Sequence, residues 1–588
     1  MSSSVNLPEP SAISGALDQC PTKEDHEFSA LFRKRYLIES DKGWDLLQAV
    51  FDFRFQPSNA SEPFTPMMVW NGKRSMIPSD LNEDQLAALE STVDGVVDPE
   101  YRARILDVLW LRRRDAKHAR SAVEAYLQSG SRLEDPNHWV ACMQRYERAV
   151  RLARQVEAKG ELQKTVLRHL ETRVLHYNGS DPLYFTLKSL ELLAEFSFGE
   201  FGALAEIAGR VAEQARAAGN FDRARSHYAV QARLLKAAKL TQGAESVRIA
   251  EAECWAEEAH QREQGGSAIA AHHFWEQAIK AFRERPGLRG RLPEIQRRLA
   301  RAGEAALGEM TRHSVEIDLT EPIRATRKAM TGLPLEDAFL TFATLIPLTD
   351  PAQLRKEAID YIRDHPLQSL HDAQVFDAAG RKIGTRPAAS PTNPQAHEAA
   401  VTGFMEYLAR LHRMPLPSGY LAPALRTLMD EHDIDETTLD TLLGDSPLMQ
   451  EDRKALFIQG LQAGFRWDFP TALHLLIPQV ENGLRKMLND QGVLARNISA
   501  DGSEEVWSYE RIFNHEVTTR TLGAPLVYEL QSLLVERLGA NLRNLVAHGL
   551  LSTDALRSET AFYLWWLLLR LIALPTSKMV AFVERNQR

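Results

Sequence analysis

The sequence predicts an all-α protein: a long helical-repeat region, a central stretch with one small β-hairpin, and a C-terminal helical bundle. Three observations predict it. From about residue 86 to 310, apolar residues recur at three- and four-residue steps with charges between them. One short alternating stretch, HDAQVFDAAGRKIGTRP, interrupts that pattern between residues 371 and 387. A block dense in leucine and tryptophan, residues 450–588, closes the chain.

At 588 residues the chain is too long for a single core. A formal charge of −9 excludes coating nucleic acid through bulk charge but permits a local basic site. Cys20, Cys142 and Cys254 lie far apart with no CxxC or CxxH pairing. That gives neither a disulfide framework nor a zinc site and fits a reducing cytoplasm. No metal or cofactor is expected, because no Gly-rich phosphate loop, HExxH or GxSxG is present.

Residues 1–24 lack the basic start and apolar core of a secretion signal and read as a disordered lead. Residues 25–85 read as a loop-rich cap, because FRFQPSNASEPFTPMMVWNGKRSMIP is dense in Pro, Asn and Gly. In residues 86–310, ILDVLWLRRRDAKHARSAVEAYL places Ile105, Leu109, Ala116, Ala119, Val123 and Tyr126 on one helical stripe. Further helices are expected at about 137–158, 161–175, 182–197, 201–218, 221–238, 241–263, 267–284 and 291–308. Tyr228 with Ala232, and Phe274 with Ala278, place an aromatic and a small residue at the same step 46 residues apart. This resembles tetratricopeptide packing, although that repeat has a period of about 34. Residues 311–390 form a central region whose hairpin spans Val375 to Ile383, and RPAASPTNPQ marks a boundary. Residues 391–449 form a helical connector. AFYLWWLLLRLIAL, residues 561–574, is 14 residues long and carries Arg570. A membrane span needs about 20 apolar residues, so a buried helix and no membrane contact are expected.

The chemistry-bearing candidate is NLRNLVAHGLL, residues 541–551. Arg with four to six residues before His is weak by itself: among 18 histidines, His118, His138, His432 and His548 meet it, about what chance supplies. The setting of the last one differs. Asn544 and His548 are four apart on one helix face, Arg543 can reach around to join them, and Gly549 is placed to stop the helix. A protonated imidazole beside a guanidinium suits a phosphodiester, and residues 536–588 hold seven Arg or Lys against four Asp or Glu.

RNLVAHG resembles the RNxxxHG hallmark of an uncharacterised bacterial family within the HEPN (higher eukaryotes and prokaryotes nucleotide-binding) superfamily. ALHLLIPQVENGLRKML, residues 472–488, resembles that family's preceding helix, the Trp-Leu-rich helix at 560–574 its closing helix, and RILDVLWLRRRDAKHARSAVEAYL the helical part often joined to it. The resemblance implies a C-terminal bundle over 450–588 and a homodimer through it. It also implies a metal-independent endoribonuclease site made by Arg543, Asn544 and His548. The RNA would be cut by its own 2′-hydroxyl, in phage defence or abortive infection, with the helical-repeat region sensing a protein partner or trigger. One departure puts a role in doubt: some relatives read His-x-Tyr, whereas this chain reads His548-Gly549-Leu550.

The competing expectation is a scaffold that binds RNA, nucleotide or protein without cutting. The weaker candidates read as structural. Glu481 and Arg485 form an i,i+4 ion pair, His474 sits inside or at the edge of the bundle, Arg511 and His515 share a loop, and the tryptophans pack.

Overall fold

Several helices begin where the sequence supplies a capping side chain. Asp98 ahead of Pro99, Asp115, Asn220, Asp350 ahead of Pro351, Asp435 and Ser558 each accept a first-turn backbone N–H. The computed structural model describes residues 6–70, 73–311, 315–390, 393–586, and the chain is helical throughout apart from short two-stranded ribbons. It divides into two compact units, Met1–Ala302 and Gly303–Arg588.

The eight helices expected between 137 and 308 are present, from Trp139–Val156 to Leu292–Glu309. From Pro99–Arg113 to Ala268–Arg283 each helix packs against the next in the chain. The cores follow the same order: one cluster spans Ile13 to Leu234, a second Ala212 to Cys254, a third Ala252 to Ala302. Together with next-but-one contacts, as of Phe185–Glu195 with Trp139–Val156 and with Phe221–Ala237, this local pattern is the mark of a helical repeat. Tyr228 is buried, but Phe274 is half-buried and stacks on Trp255, so the two aromatic positions are not equivalent.

Four expectations need correction. Residues 1–5 lie outside the described residues, but the rest of the lead is not disordered: Pro10–Leu17 is a helix that buries Ile13, Ala16 and Leu17. Those side chains share one cluster with Phe28, Trp44 and Leu109, so neither the lead nor the loop-rich cap is separate from the repeat region. The run from Ile105 to Tyr126 is two helices, Pro99–Arg113 and Ala116–Arg132, parted by Arg114 in the left-handed region. Asp115 caps the second helix, which leaves Ala116 exposed. Beside the expected hairpin, three more two-stranded ribbons exist, at Arg54–Phe55 with Phe64–Thr65, Val69–Trp70 with Lys73–Arg74, and Arg496–Ile498 with Glu504–Val506.

The first unit also buries charge. Arg148 forms a two-point pair with Asp107 at 2.8 and 2.7 Å, both fully buried, and Tyr126 donates to the same carboxylate at 2.9 Å. Arg145 pairs with Glu100 at 3.1 and 2.8 Å and with Asp25 at 3.1 Å, and Arg104 also reaches Asp25. The Arg104 guanidinium lies 4.7 Å from the Phe64 ring centre. Burial alone would raise the Asp25 carboxyl, but Arg145 and Arg104 outweigh it and hold it down to about 2. That contribution to stability is present above the ordinary value of 3.8 and is lost as the pH falls through about 2.

The second unit is one body. Its main core runs from Met330 to Met579 and draws on the central region, the connector and the C-terminal block, while a second cluster, from Leu354 to Ala409, joins the helices Pro351–Asp364 and Pro394–Arg413. Leu335–Thr344, expected to belong to the central region, packs on Glu559–Ala573. The expected hairpin is Ala373–Phe376 with Lys382–Arg386, turned at Asp377 and at Gly380 with φ +73. Helix Glu559–Ala573 is the core element: Trp565 lies 5.1 Å edge-on from Phe465, and Trp566 donates to the Phe342 carbonyl at 2.8 Å. A side chain at Gly464 would meet the Trp565 ring at 2.0 Å, so only glycine permits that approach. Among the described residues no single helix is long and apolar enough to cross a membrane.

The buried pair in the first unit gives a direct test. Asp107→Ala leaves the Arg148 guanidinium uncompensated and should destabilise the chain by about 3–5 kcal/mol. Asp107→Leu with Arg148→Met should recover part of that loss in chemical denaturation.

Candidate functional site

The polar cluster sits on a short helix, Leu542–Ala547, that the flanking residues fix at both ends. Asn541 adopts φ +49 and turns the chain into it, while Ala540 donates its N–H to the Ser532 carbonyl at 3.0 Å. Leu542 is buried and Val546 packs on the core, which turns the remaining residues outward. Gly549, at φ +63, ends the helix as its spacing predicts, with the Gly549 N–H on the Val546 carbonyl and the Leu550 N–H on the Leu545 carbonyl.

Arg543 is tethered. Its Nη2 lies 3.5 Å from Glu481 Oε2, and its Nη1 donates to Asn544 Oδ1 at 3.1 Å. The Asn544 amide donates onward to Asn541 Oδ1 at 2.7 Å. Glu481 comes from the long helix Phe469–Asp490, and its carboxylate is 8% exposed. Its other oxygen takes Arg485 at 3.0 Å and the Tyr509 N–H at 3.1 Å. One buried acid thus joins that helix, the segment at Tyr509 and the motif. Tyr509 is fully buried, donates to the Ile477 carbonyl at 2.7 Å, and has its hydroxyl pushed well above the usual range by burial and then by Glu481.

Arg543 and Asn544 line a polar cleft of about 560 Å3, within the roughly 300–1,000 Å3 of small-molecule sites. Glu510, Asn514, Gln531, Glu536 and Arg537 also line it, with Ser508 and Tyr509 beside them. His548 is exposed at the far end of the motif helix and is not among the lining residues. Arg543 therefore joins Asn544 and the buried Glu481 carboxylate, and among the described residues it makes no contact with His548.

The chance copies of the Arg–His spacing end differently. His118 pairs with Glu90 at 3.0 Å, His138 with Asp135 at 2.9 Å, and His432 with the Leu333 carbonyl at 2.9 Å. The His548 ring has no such partner among the described residues. The other weak candidates are structural. His474 accepts no distant group and bonds the Pro470 carbonyl at 2.7 Å, on the surface of its helix and not inside the bundle. Arg511 stacks 4.2 Å over Trp507, and His515 caps the helix Glu516–Leu522. Among the described residues the donors close enough to share a metal are Glu24, Asp25 and His26, where Asp25 is already committed to two arginines.

Glu510, Asn514, Gln531, Glu536 and Arg537 were not singled out in the sequence. Glu536 and Arg537 stand just before the motif, but Glu510 and Asn514 lie some thirty residues away, and only the fold brings them to it.

A family model described as Domain of unknown function (DUF7380) matches residues 8–165, under a third of the chain. That span holds the buried Arg104, Arg145 and Arg148 cluster. No curated protein matches. A solved structure titled "Circular tandem repeat protein with novel repeat topology and enhanced subunit contact surfaces" matches at 15% identity, covering 97% of this chain and 100% of that chain, with a TM-score of 0.14. At that score the likeness carries no argument about fold or function.

The three-way role of Glu481 can be tested by stability. Glu481→Ala should cost about 1–3 kcal/mol in thermal or chemical denaturation, by leaving the Tyr509 N–H and two guanidiniums without their acceptor. Glu481→Gln should cost less, because its amide oxygen can still accept the N–H.

Proposed function

We propose that this protein is a HEPN-type, metal-independent endoribonuclease whose C-terminal site acts on an RNA phosphodiester. The observation that carries the reading is the unpartnered His548 at the end of the helix whose Arg543 and Asn544 line a polar cleft. In this reading Arg543 stabilises charge developing on the phosphate and Asn544 orients it. The RNA 2′-oxygen attacks phosphorus while a histidine takes its proton; the 5′-oxygen leaves with a proton, giving a 2′,3′-cyclic phosphate and a 5′-hydroxyl. Because His548 stands outside the cleft of its own chain, a homodimer in which one copy's His548 faces the other's Arg543 completes the site. The setting that the motif's resemblance suggests is cytoplasmic phage defence or abortive infection, with the helical-repeat region receiving a protein trigger.

One observation favours the second reading, a module that binds RNA or nucleotide without cutting: the Arg543 guanidinium faces the Glu481 carboxylate.

His548→Ala should abolish RNA cleavage and leave stability within about 0.5 kcal/mol, since the ring is exposed and makes no bond. Arg543→Ala should also abolish cleavage and weaken binding to RNA by about 1.5–3 kcal/mol. Chelation of divalent metals should change nothing, and RNA methylated at the 2′ position should resist. Cleavage that survives in His548→Ala, or that requires magnesium, would sink the mechanism.

Light scattering on the full chain should report a dimer at tens of micromolar, an order-of-magnitude range for weak association. A strict monomer there would remove the composite site.

A further inference from the structure

The cleft beside Arg543 holds something an RNA backbone does not need. Phosphate calls for cations, which Arg537 and Arg543 supply, yet Glu510 and Glu536 line the same wall. A carboxylate near a phosphate repels it, so its presence in an anion-binding cleft is useful only where it accepts hydrogen bonds from the rest of the ligand.

The geometry narrows which acceptor is available. Glu510 and Asn514 bracket one helical turn, with the Asn514 N–H bonded to the Glu510 carbonyl at 3.2 Å, so their side chains share a face. Two of the three amides that line the cleft meet each other: Gln531 Nε2 lies 3.5 Å from Asn514 Oδ1, while Asn544 is bonded to Arg543 and Asn541. Glu536 lies 3.5 Å from the Leu538 N–H. The Glu510 carboxylate is exposed and has no side-chain partner among the described residues. It offers two acceptor oxygens and no donor.

Among nucleobases, guanine presents two adjacent donors on one edge, its ring N1–H and its exocyclic N2 amine. Adenine and cytosine place a donor beside an acceptor, and uracil places one donor between two acceptors; a carboxylate pairs poorly with all three. A cleft of about 560 Å3 has room for one nucleotide with its phosphate toward Arg543.

We infer that this cleft is a guanine-recognition pocket in which Glu510 reads the base through its N1–H and N2 amine, while Arg543, Asn544 and Arg537 hold the phosphate. The inference rests on the nucleotide-binding reading of the site, not on cleavage. The guanine has two sources, a residue within RNA or a free guanine nucleotide, and the test separates them.

Binding to the full-length protein is measured with 2′-O-methylated pentanucleotides, which resist cleavage, carrying a central guanine, inosine, adenine, cytosine or uracil in an adenine background. Guanosine and adenosine monophosphate are titrated in parallel. Guanine should bind about tenfold more tightly than adenine, and inosine, which lacks the N2 amine, should lose most of that advantage. Glu510→Gln, checked by thermal denaturation to be folded, should bring the guanine ligand down to the level of adenine. A guanine preference seen with the oligonucleotides supports a pocket that reads RNA. The same preference confined to the monophosphates supports the pocket while removing the nuclease reading. Equal affinity for all bases, an undiminished guanine preference in Glu510→Gln, or no binding of any probe would overturn the inference.

Discussion

A buried carboxylate must spend both oxygens on partners or be expelled from the core, and Glu481 spends both on holding the motif in place. It accepts Arg485 from its own helix, the Tyr509 N–H from a neighbouring segment and Arg543 from the motif. Beside that anchor, Arg543 bonds Asn544 and Asn544 bonds Asn541. The motif helix has only six residues, too few to hold itself in water, so its geometry is tertiary in origin. Leu542 beneath it, Asn541 at φ +49 before it and Gly549 at φ +63 after it complete the frame.

The first unit uses the same physics more heavily. Asp25, Glu100 and Asp107 lie among Arg104, Arg145 and Arg148, with acids and bases matched in number and closely hydrogen-bonded. Such pairs gain little over a well-packed apolar core of equal volume, but removing one partner is costly. Their effect is therefore selective more than stabilising. Asp25 begins the helix Asp25–Glu39, Arg148 also donates to the Ala60 carbonyl at 3.0 Å and Arg104 to the Phe53 carbonyl at 3.2 Å. The loop-rich segment is thereby tied to helices far along the chain, which is why it has no core of its own.

What the sequence discloses depends on whether a signal is local. Caps and helical periodicity are local, so the helices from Trp139–Val156 to Leu292–Glu309 and the turn at Asp377 and Gly380 could be read residue by residue. The break at Arg114 was equally local, carried by Asp115, but a continuous apolar stripe masked it. Long-range partition was not legible. Proline-rich composition near residue 390 suggests a boundary, yet the core joins Phe342 to Trp565 and Trp566 across it. At the site, the spacing of Arg543, Asn544 and His548 gave the helix and its stop. The acceptor that takes Arg543 lies 62 residues earlier, in a pair that reads as an ordinary i,i+4 bridge.

The division between a held arginine and an unheld histidine has a chemical consequence. A guanidinium that must meet a phosphate in one geometry benefits from being fixed beforehand, because orientation settled in folding is not lost again on binding. Glu481 lowers the net charge that Arg543 offers, so in the proposed site the affinity for a phosphate would be shared with Arg537, Asn544 and whatever the rest of the ligand finds in the cleft. A histidine that moves a proton has a different requirement. It must reach the reacting oxygen without a competing partner, and a ring left unbonded at a helix end meets that requirement only if the oxygen is brought to it. In one chain the ring is exposed and does not line the cleft. In the proposed ribonuclease, the arrangement would become a single reaction centre when a second copy closes over the phosphate.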